Sequence, residues 1–259
     1  MKHGRTVPLC CAALLWAGCA VAIDLQVAIS RQGQAPLAAR TTLLADFNLA
    51  LAREICRRIG AQCFFSNPPF PEILPGIESR RFQLGFGNYL RTPEREARVA
   101  FSDGLWRSSS RLLARASVAA RFATTAQVIR LETLRDARIV AISGSEQHRH
   151  LHRIAGRQGL QVLGVTAMAD CLDALSRGEA DFALLPSLSA YLLLDPTAGD
   201  APDFTGPGIV DHGLGGRVHI ALPRGDEELR RRVNGALGEM QRDGSYQRIW
   251  RRHFPFDLQ

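Results

Sequence analysis

Arg95 is the residue whose type and setting could do the most chemistry. It closes the run Arg91-Thr92-Pro93-Glu94-Arg95. Thr92 is a good helix N-cap, and Pro93 suits the first helical position, where a missing N–H costs nothing. Glu94 adds a favourable charge at the helix start. One turn into a short helix, the Arg95 guanidinium could meet a carboxylate through two parallel hydrogen bonds. The plain alternative is a helix start whose arginine is solvated. His148 and His152 lie one helical turn apart and could share a metal ion, with Glu146 as a third ligand. A surface helix in an arginine-rich chain also carries such histidines without metal, and no metal or other cofactor is expected. Asp211-His212 and His219 have no visible nucleophile partner. No nucleophile elbow, phosphate loop or zinc-protease motif occurs, so an enzyme is not expected.

Elements that could position these groups alternate along the chain. Strands are expected at 25–29, 61–66 and 82–86, the last running into a polar turn before Thr92. A helix capped by Asn48 carries Leu51, Ala52, Ile55, Cys56 and Ile59 at helical spacing and ends at Gly60. Ile73, Leu74 and Ile77 suggest a short helix after the Asn67-Pro68-Pro69 break. A strand-like run at 110–116 opens a second region. It holds strands at 138–142, 160–165 and 181–185, and helices at 146–158 and 168–177. A Gly/Pro-rich loop is expected at 196–207, then a strand at 218–222 and helices at 226–241 and 246–254. Strand–helix alternation of this kind argues for an α/β layered fold.

The N-terminus bounds the compartment. Lys2, His3 and Arg5 precede an apolar stretch, and Ala20-Val21-Ala22 is a small-residue cleavage site. This reads as a secretory signal peptide over 1–22, too short for a membrane anchor. Lipidation at Cys19 is the weaker option, because Trp16 stands where a small aliphatic residue is expected. The formal charge is +7, carried by arginine except for Lys2. The arginine runs fall on helix faces without interleaved aromatics or a binding motif, so a nucleic-acid partner is not expected. Of six cysteines, Cys56, Cys63 and Cys171 survive cleavage. An oxidising compartment permits disulfides, and Cys56 with Cys63, at a helix end and the next strand start, is the natural pair. Cys171 is left as a small buried apolar residue.

This order of elements and motifs resembles the family 3 extracellular solute-binding proteins, receptors for polar amino acids in ABC importers. Phe47-Asn48-Leu49-Ala50-Leu51-Ala52 looks like the family's Phe-Asp-x-Asp-Leu-Ala helix start. Arg91-Thr92-Pro93-Glu94-Arg95 with Val99-Ala100-Phe101-Ser102 is similar to its Ile-Thr-Pro-Glu-Arg…Val-Asp-Phe-Ser. Gly144-Ser145 looks like its Gly-Thr-Thr turn. Asp243-Gly244-Ser245-Tyr246 with Ile249 and Phe254 is similar to its Asp-Gly-Thr-Tyr-x-x-Ile…Phe. The spacing of Cys56 and Cys63 matches a disulfide found in family members.

The resemblance implies an α/β fold of the two-lobed periplasmic binding protein type (type II), each lobe a β-sheet flanked by helices with a ligand cleft between. Lobe 1 would span 23–114 and 212–259, and lobe 2 would span 115–211. It implies a monomeric periplasmic receptor that hands a small carboxylate-bearing ligand to an inner-membrane ABC permease. Arg95 takes the place of the arginine that clamps the ligand's α-carboxylate, and Phe70 that of an aromatic packed on the ligand. Asn88 falls in the same contact region. Gly144 and Ser145 would offer backbone N–H groups at a helix start, a ready anion site. The departures are as informative. Leu90 and Glu146 stand where Ser or Thr contacts to the carboxylate are usual. Pro186 stands where an Asp usually holds the α-ammonium, and Gly33 or Gln34 where a second aromatic is usual. Glu146 could instead receive a cationic group, or be only a first-turn helix glutamate. Alternatives implied are a non-transport binding module, such as a sensor or an accessory to a dehydrogenase system, and a cleft enzyme such as a periplasmic dehydratase.

Overall fold

The computed structural model describes residues 23–30, 43–123, 128–194 and 199–254. The expected signal segment at 1–22 with Cys19, and Gly33 and Gln34, lie outside the described residues. The first sheet begins with β1 (Ile23–Ile29), which pairs in parallel with β2 (Ala61–Ser66) and β3 (Leu84–Leu90). Parallel strands covered on both faces read as near-continuous apolar runs, as in β3. Helix α1 (Leu43–Arg58) covers one face with Phe47, Leu51 and Ile55. Helix α2 (Phe70–Glu78) lays Ile73 and Ile77 on β3 at Gly85, where a Cβ would sit 2.8 Å from Ile73 Cγ2. The approach of helix to strand therefore requires glycine there.

The sheet is completed by β4 (Val99–Phe101), β5 (Arg107–Ser108) and β11 (Gly216–Pro223), after the short helix α3 (Pro93–Glu96). β11 runs antiparallel to β3, β4 and β5, giving the order β2-β1-β3-β11-β4 with β5 also on β11. Helices α8 (Glu227–Arg242) and α9 (Ser245–His253) close the core with Val233, Leu237, Tyr246 and Trp250. Cys56 and Cys63 form a disulfide between the end of α1 and β2, while Cys171 is a free, buried thiol.

The second sheet has the order β10-β6-β9-β7-β8. Its strands are β6 (Ser110–Arg115), β7 (Arg138–Ile142), β8 (Gln161–Val165), β9 (Phe182–Pro186) and β10 (Pro202–Ile209). Helices α4 (Ala116–Phe122), α5 (Glu146–Gln158), α6 (Met168–Ser176) and α7 (Ser187–Leu193) flank it. The chain changes sheet at Ser109 and returns between β10 and β11. The expected lobe limit at 114/115 would cut β6, whose Ser110 to Leu113 pair with Pro186 to Ala183 of β9. The second limit, at 211/212, lies in the return connection.

Three expectations are corrected. Helix α1 starts at Leu43, not at Asn48, because Leu44 and Phe47 extend its apolar face into the core. Asn48 is therefore a buried mid-helix residue rather than a cap. Strand β3 continues through Asn88 to Leu90 where a polar turn was expected, because β11 pairs with Leu90 and Tyr89. The Gly/Pro-rich stretch near 202–207 is part of β10, which accommodates its prolines and glycines through a register shift between Thr205 and Ile209.

Candidate functional site

A cavity of about 60 Å³ lies between the two sheets. The first sheet and its connections contribute Ser30, Phe70, Asn88, Leu90, Arg95 and Trp106, and the second contributes Ser145, Glu146, Gln147, Pro186 and Ser189. Ligand clefts are usually about 300–1,000 Å³, so this cleft is nearly shut.

Arg95 reaches it from a four-residue helix. The Thr92 hydroxyl oxygen accepts from Arg95 N at 3.4 Å, capping α3, and Pro93 follows at the first helical position. The side chain is only 4% exposed. Arg95 Nη1 donates to the Leu90 carbonyl at 2.8 Å. Nη2 crosses the cleft and donates to the Gly144 carbonyl at 3.3 Å. Nε lies 3.2 Å from Glu146 Oε1, close enough for an ion pair but not aimed for a hydrogen bond. The guanidinium also sits 5.1 Å above the Tyr89 ring, an arrangement that favours a cation. Burial lowers the Arg95 pKa to about 10, with Glu146 opposing the shift, so the group stays charged at neutral pH.

Glu146 opens α5 and is also buried, with a side chain 5% exposed. Its partners are two arginines. Arg149, one turn along α5, bonds its carboxylate through Nη2 and through Nε at 3.4 Å. Arg95 faces the same carboxylate from the other lobe. Glu146 is thus neither a solvated first-turn glutamate nor an unpaired acceptor for a cation. Two guanidiniums around one carboxylate leave one formal positive charge.

Other expected residues take different parts. Leu90 presents its backbone carbonyl to Arg95, while its side chain is buried. Ser145 does not offer its N–H as expected. Ser145 N donates to Ile142 O at 3.0 Å, its hydroxyl accepts from His148 N, and Gly144 turns its carbonyl to Arg95. The N–H groups of Ser145 and His148 are thereby used within the turn and the helix cap. Asn88 adopts φ +56, a left-handed conformation that asparagine tolerates. Its Oδ1 accepts from Asn48 Nδ2 at 3.2 Å. Phe70 packs on Tyr89 at 5.2 Å and also against the second-lobe cluster around Met168. Pro186 lines the second-lobe wall with no charge. His148 and His152 stand together, Nε2 to Nε2 at 3.2 Å. Among the described residues no group of three or more His, Cys, Asp or Glu could hold a metal ion.

A family model of the bacterial extracellular solute-binding proteins, family 3, matches residues 28–256. The chain belongs to that family. The histidine-binding periplasmic protein of Escherichia coli (strain K12) is 27% identical over 218 residues, covering 83% of this chain and 81% of that protein. The lysine/arginine/ornithine-binding periplasmic protein of the same strain is 25% identical over 214 residues, covering 82% and 80%. Among solved structures, an ancestral arginine-binding protein bound to arginine superposes with a TM-score of 0.75 at 21% identity, over 89% of this chain and 98% of that one. An arginine transport binding protein from Legionella pneumophila gives 0.71 at 22% identity, over 90% and 100%. At these identities the structures establish the two-lobed α/β fold.

Several cleft residues of this family 3 protein were missed from sequence. Gln147 is buried, and its Nε2 donates to Ser110 Oγ at 2.8 Å, which in turn donates to Leu214 O at 2.6 Å. Its place beside Glu146 at a helix start was the available signal. Trp106 lines the cavity while packing edge-on to Phe47 at 5.5 Å. Ser30 and Ser189 carried no signal, since a lone serine after a strand or in a helix is common.

Proposed function

We propose that this chain is the periplasmic receptor of an ABC importer and closes on a small polar ligand bearing a carboxylate, an amino acid or an analogue. The observation that carries the reading is Arg95, charged and buried within the interlobe cavity, with its guanidinium directed at the opposite lobe. A desolvated guanidinium is the expected partner for a carboxylate. Membership of a solute-binding family supports ligand retention over turnover, and the relatives named for histidine and for lysine, arginine and ornithine support amino-acid-like ligands. Among the described residues that line the cavity, Glu146 is the one acid, and both Arg95 and Arg149 pair with it. Pro186 offers no charge for an ammonium. The cleft therefore favours a ligand whose negative charge outweighs or lacks a cationic partner, and an α-ammonium would be paid for in desolvation. The relatives named as periplasmic binding proteins, and the signal-peptide pattern expected at 1–22, support the periplasmic placement.

A thermal-shift screen against amino acids, dicarboxylates and polyamines tests this. A ligand at 100 times its Kd should stabilise the protein by roughly 2.7 kcal/mol. The expected result is a clear shift with carboxylates and none with polyamines. A shift with polyamines alone would overturn the carboxylate reading.

A further inference from the structure

Glu146 brings a carboxylate to the guanidinium that a ligand's carboxylate is proposed to need. The contact spans the cleft, from α3 of the first lobe to the start of α5 in the second, at 3.2 Å with both side chains buried. Beside it, Arg95 Nη2 donates to Gly144 O of the same second-lobe turn. The cavity left around the pair is about 60 Å³, too small for an amino acid beside Glu146. A ligand's carboxylate and Glu146 cannot both face Arg95 there without placing two like charges on one guanidinium in a desolvated space.

Glu146 also has somewhere else to go. Arg149 bonds both of its oxygens from the same helix, and the Arg149 side chain is 34% exposed. The Arg149 pair lies within one lobe and survives opening; the Arg95 pair does not. One carboxylate is thus shared between a guanidinium that moves away when the lobes part and one that travels with it. We propose that Glu146 is a built-in occupant of the Arg95 site, which holds the cleft shut without ligand and yields to an incoming carboxylate by withdrawing onto Arg149. The inference rests on the reading of Arg95 as the ligand's carboxylate contact. Leu188 and Leu192 of α7 pack into the first-lobe core as well, so loss of the Glu146 contact loosens closure and does not abolish it.

The test measures closure and affinity separately. Nitroxide labels at Arg242→Cys on α8 and Ser176→Cys on α6 report the interlobe distance in the ligand-free protein by pulsed electron spin resonance. Both positions are exposed, one on each lobe. The otherwise unaltered chain should give one short distance. Glu146→Gln, and Glu146→Thr should the first fold poorly, should add a longer-distance population. Arg149→Gln removes the alternative partner and should leave the short distance alone. Calorimetric titration with succinate and L-glutamate should show about fivefold tighter binding in the Glu146 variants and several-fold weaker binding in Arg149→Gln. This reversal of sign is something a merely structural role would not produce. An unchanged distance in both Glu146 variants overturns the latch. Opening with equal affinity in all forms refutes the competition. Opening with neither probe bound by any form leaves the latch standing and counts against the carboxylate reading of the cleft.

Discussion

Replacing Arg95 by alanine should weaken ligand binding by about 30-fold, and the structure sets the size. A forked guanidinium–carboxylate contact supplies two hydrogen bonds to a charged group, each contributing about 1.5–3 kcal/mol. Taking the low end for both gives about 3 kcal/mol. Part of this is returned, because the variant also loses the contact that holds Glu146 in the site. That contact is an ion pair at 3.2 Å whose Nε is not aimed at the oxygen, and Glu146 keeps Arg149. About 1 kcal/mol is a fair figure for it. The net loss is about 2 kcal/mol, or about 30-fold in Kd. Isothermal titration with the most strongly stabilising carboxylate from the screen measures it. Arg95→Lys is the informative companion, since an ammonium keeps the charge but loses the fork and the reach to Gly144 O. An affinity for Arg95→Ala within threefold of the unaltered protein would refute the clamp. A loss of binding accompanied by unfolding would show instead that the cap at Thr92 and the bond to Leu90 O matter more than the ligand contact.

Two further outcomes follow from parts of the fold away from the cleft. Replacing Cys56 and Cys63 by serine opens a bridge of sequence separation 7 and should lower stability to urea by about 2.5 kcal/mol on the chain-entropy account; a loss under 0.5 kcal/mol would show that the unfolded chain is already constrained there. Asp181 is held below the usual carboxylate range. Burial would raise its pKa, but hydrogen bonds from the Arg138 side chain and backbone N–H, with the charges of Arg138 and Arg121, outweigh this. A depressed folded pKa contributes stability that is present above about pH 4 and is lost as pH falls through the folded value. Asp181→Asn should therefore be less stable at neutral pH and show a flatter acid-side loss, read by circular dichroism; an unaltered acid slope would refute the assignment.

Much of the fold was legible because its signals are local. Apolar runs marked β1, β7 and β9, and the Thr92 cap followed by Pro93 marked the start of α3. The errors came where tertiary partners overrode local preference. Asn48 looks like a cap, yet it is buried mid-helix with its amide on Asn88. Gly206 and Pro207 look like loop, yet the edge position of β10 tolerates them.

The sequence by itself determined the family, the α/β layering and the pairing of Cys56 with Cys63. These depend on spacing, on residue type and on motifs that keep their order. Only the tertiary structure decided what the cleft residues do to one another. Arg95 and Glu146 are 51 positions apart, and nothing local says that their charges meet across two lobes at 3.2 Å. Ser145 keeps its N–H for Ile142, and Leu90 matters through its carbonyl. Charge pairing and hydrogen-bond direction depend on distance and angle in space, and in this fold both are set by how the second sheet lies against the first.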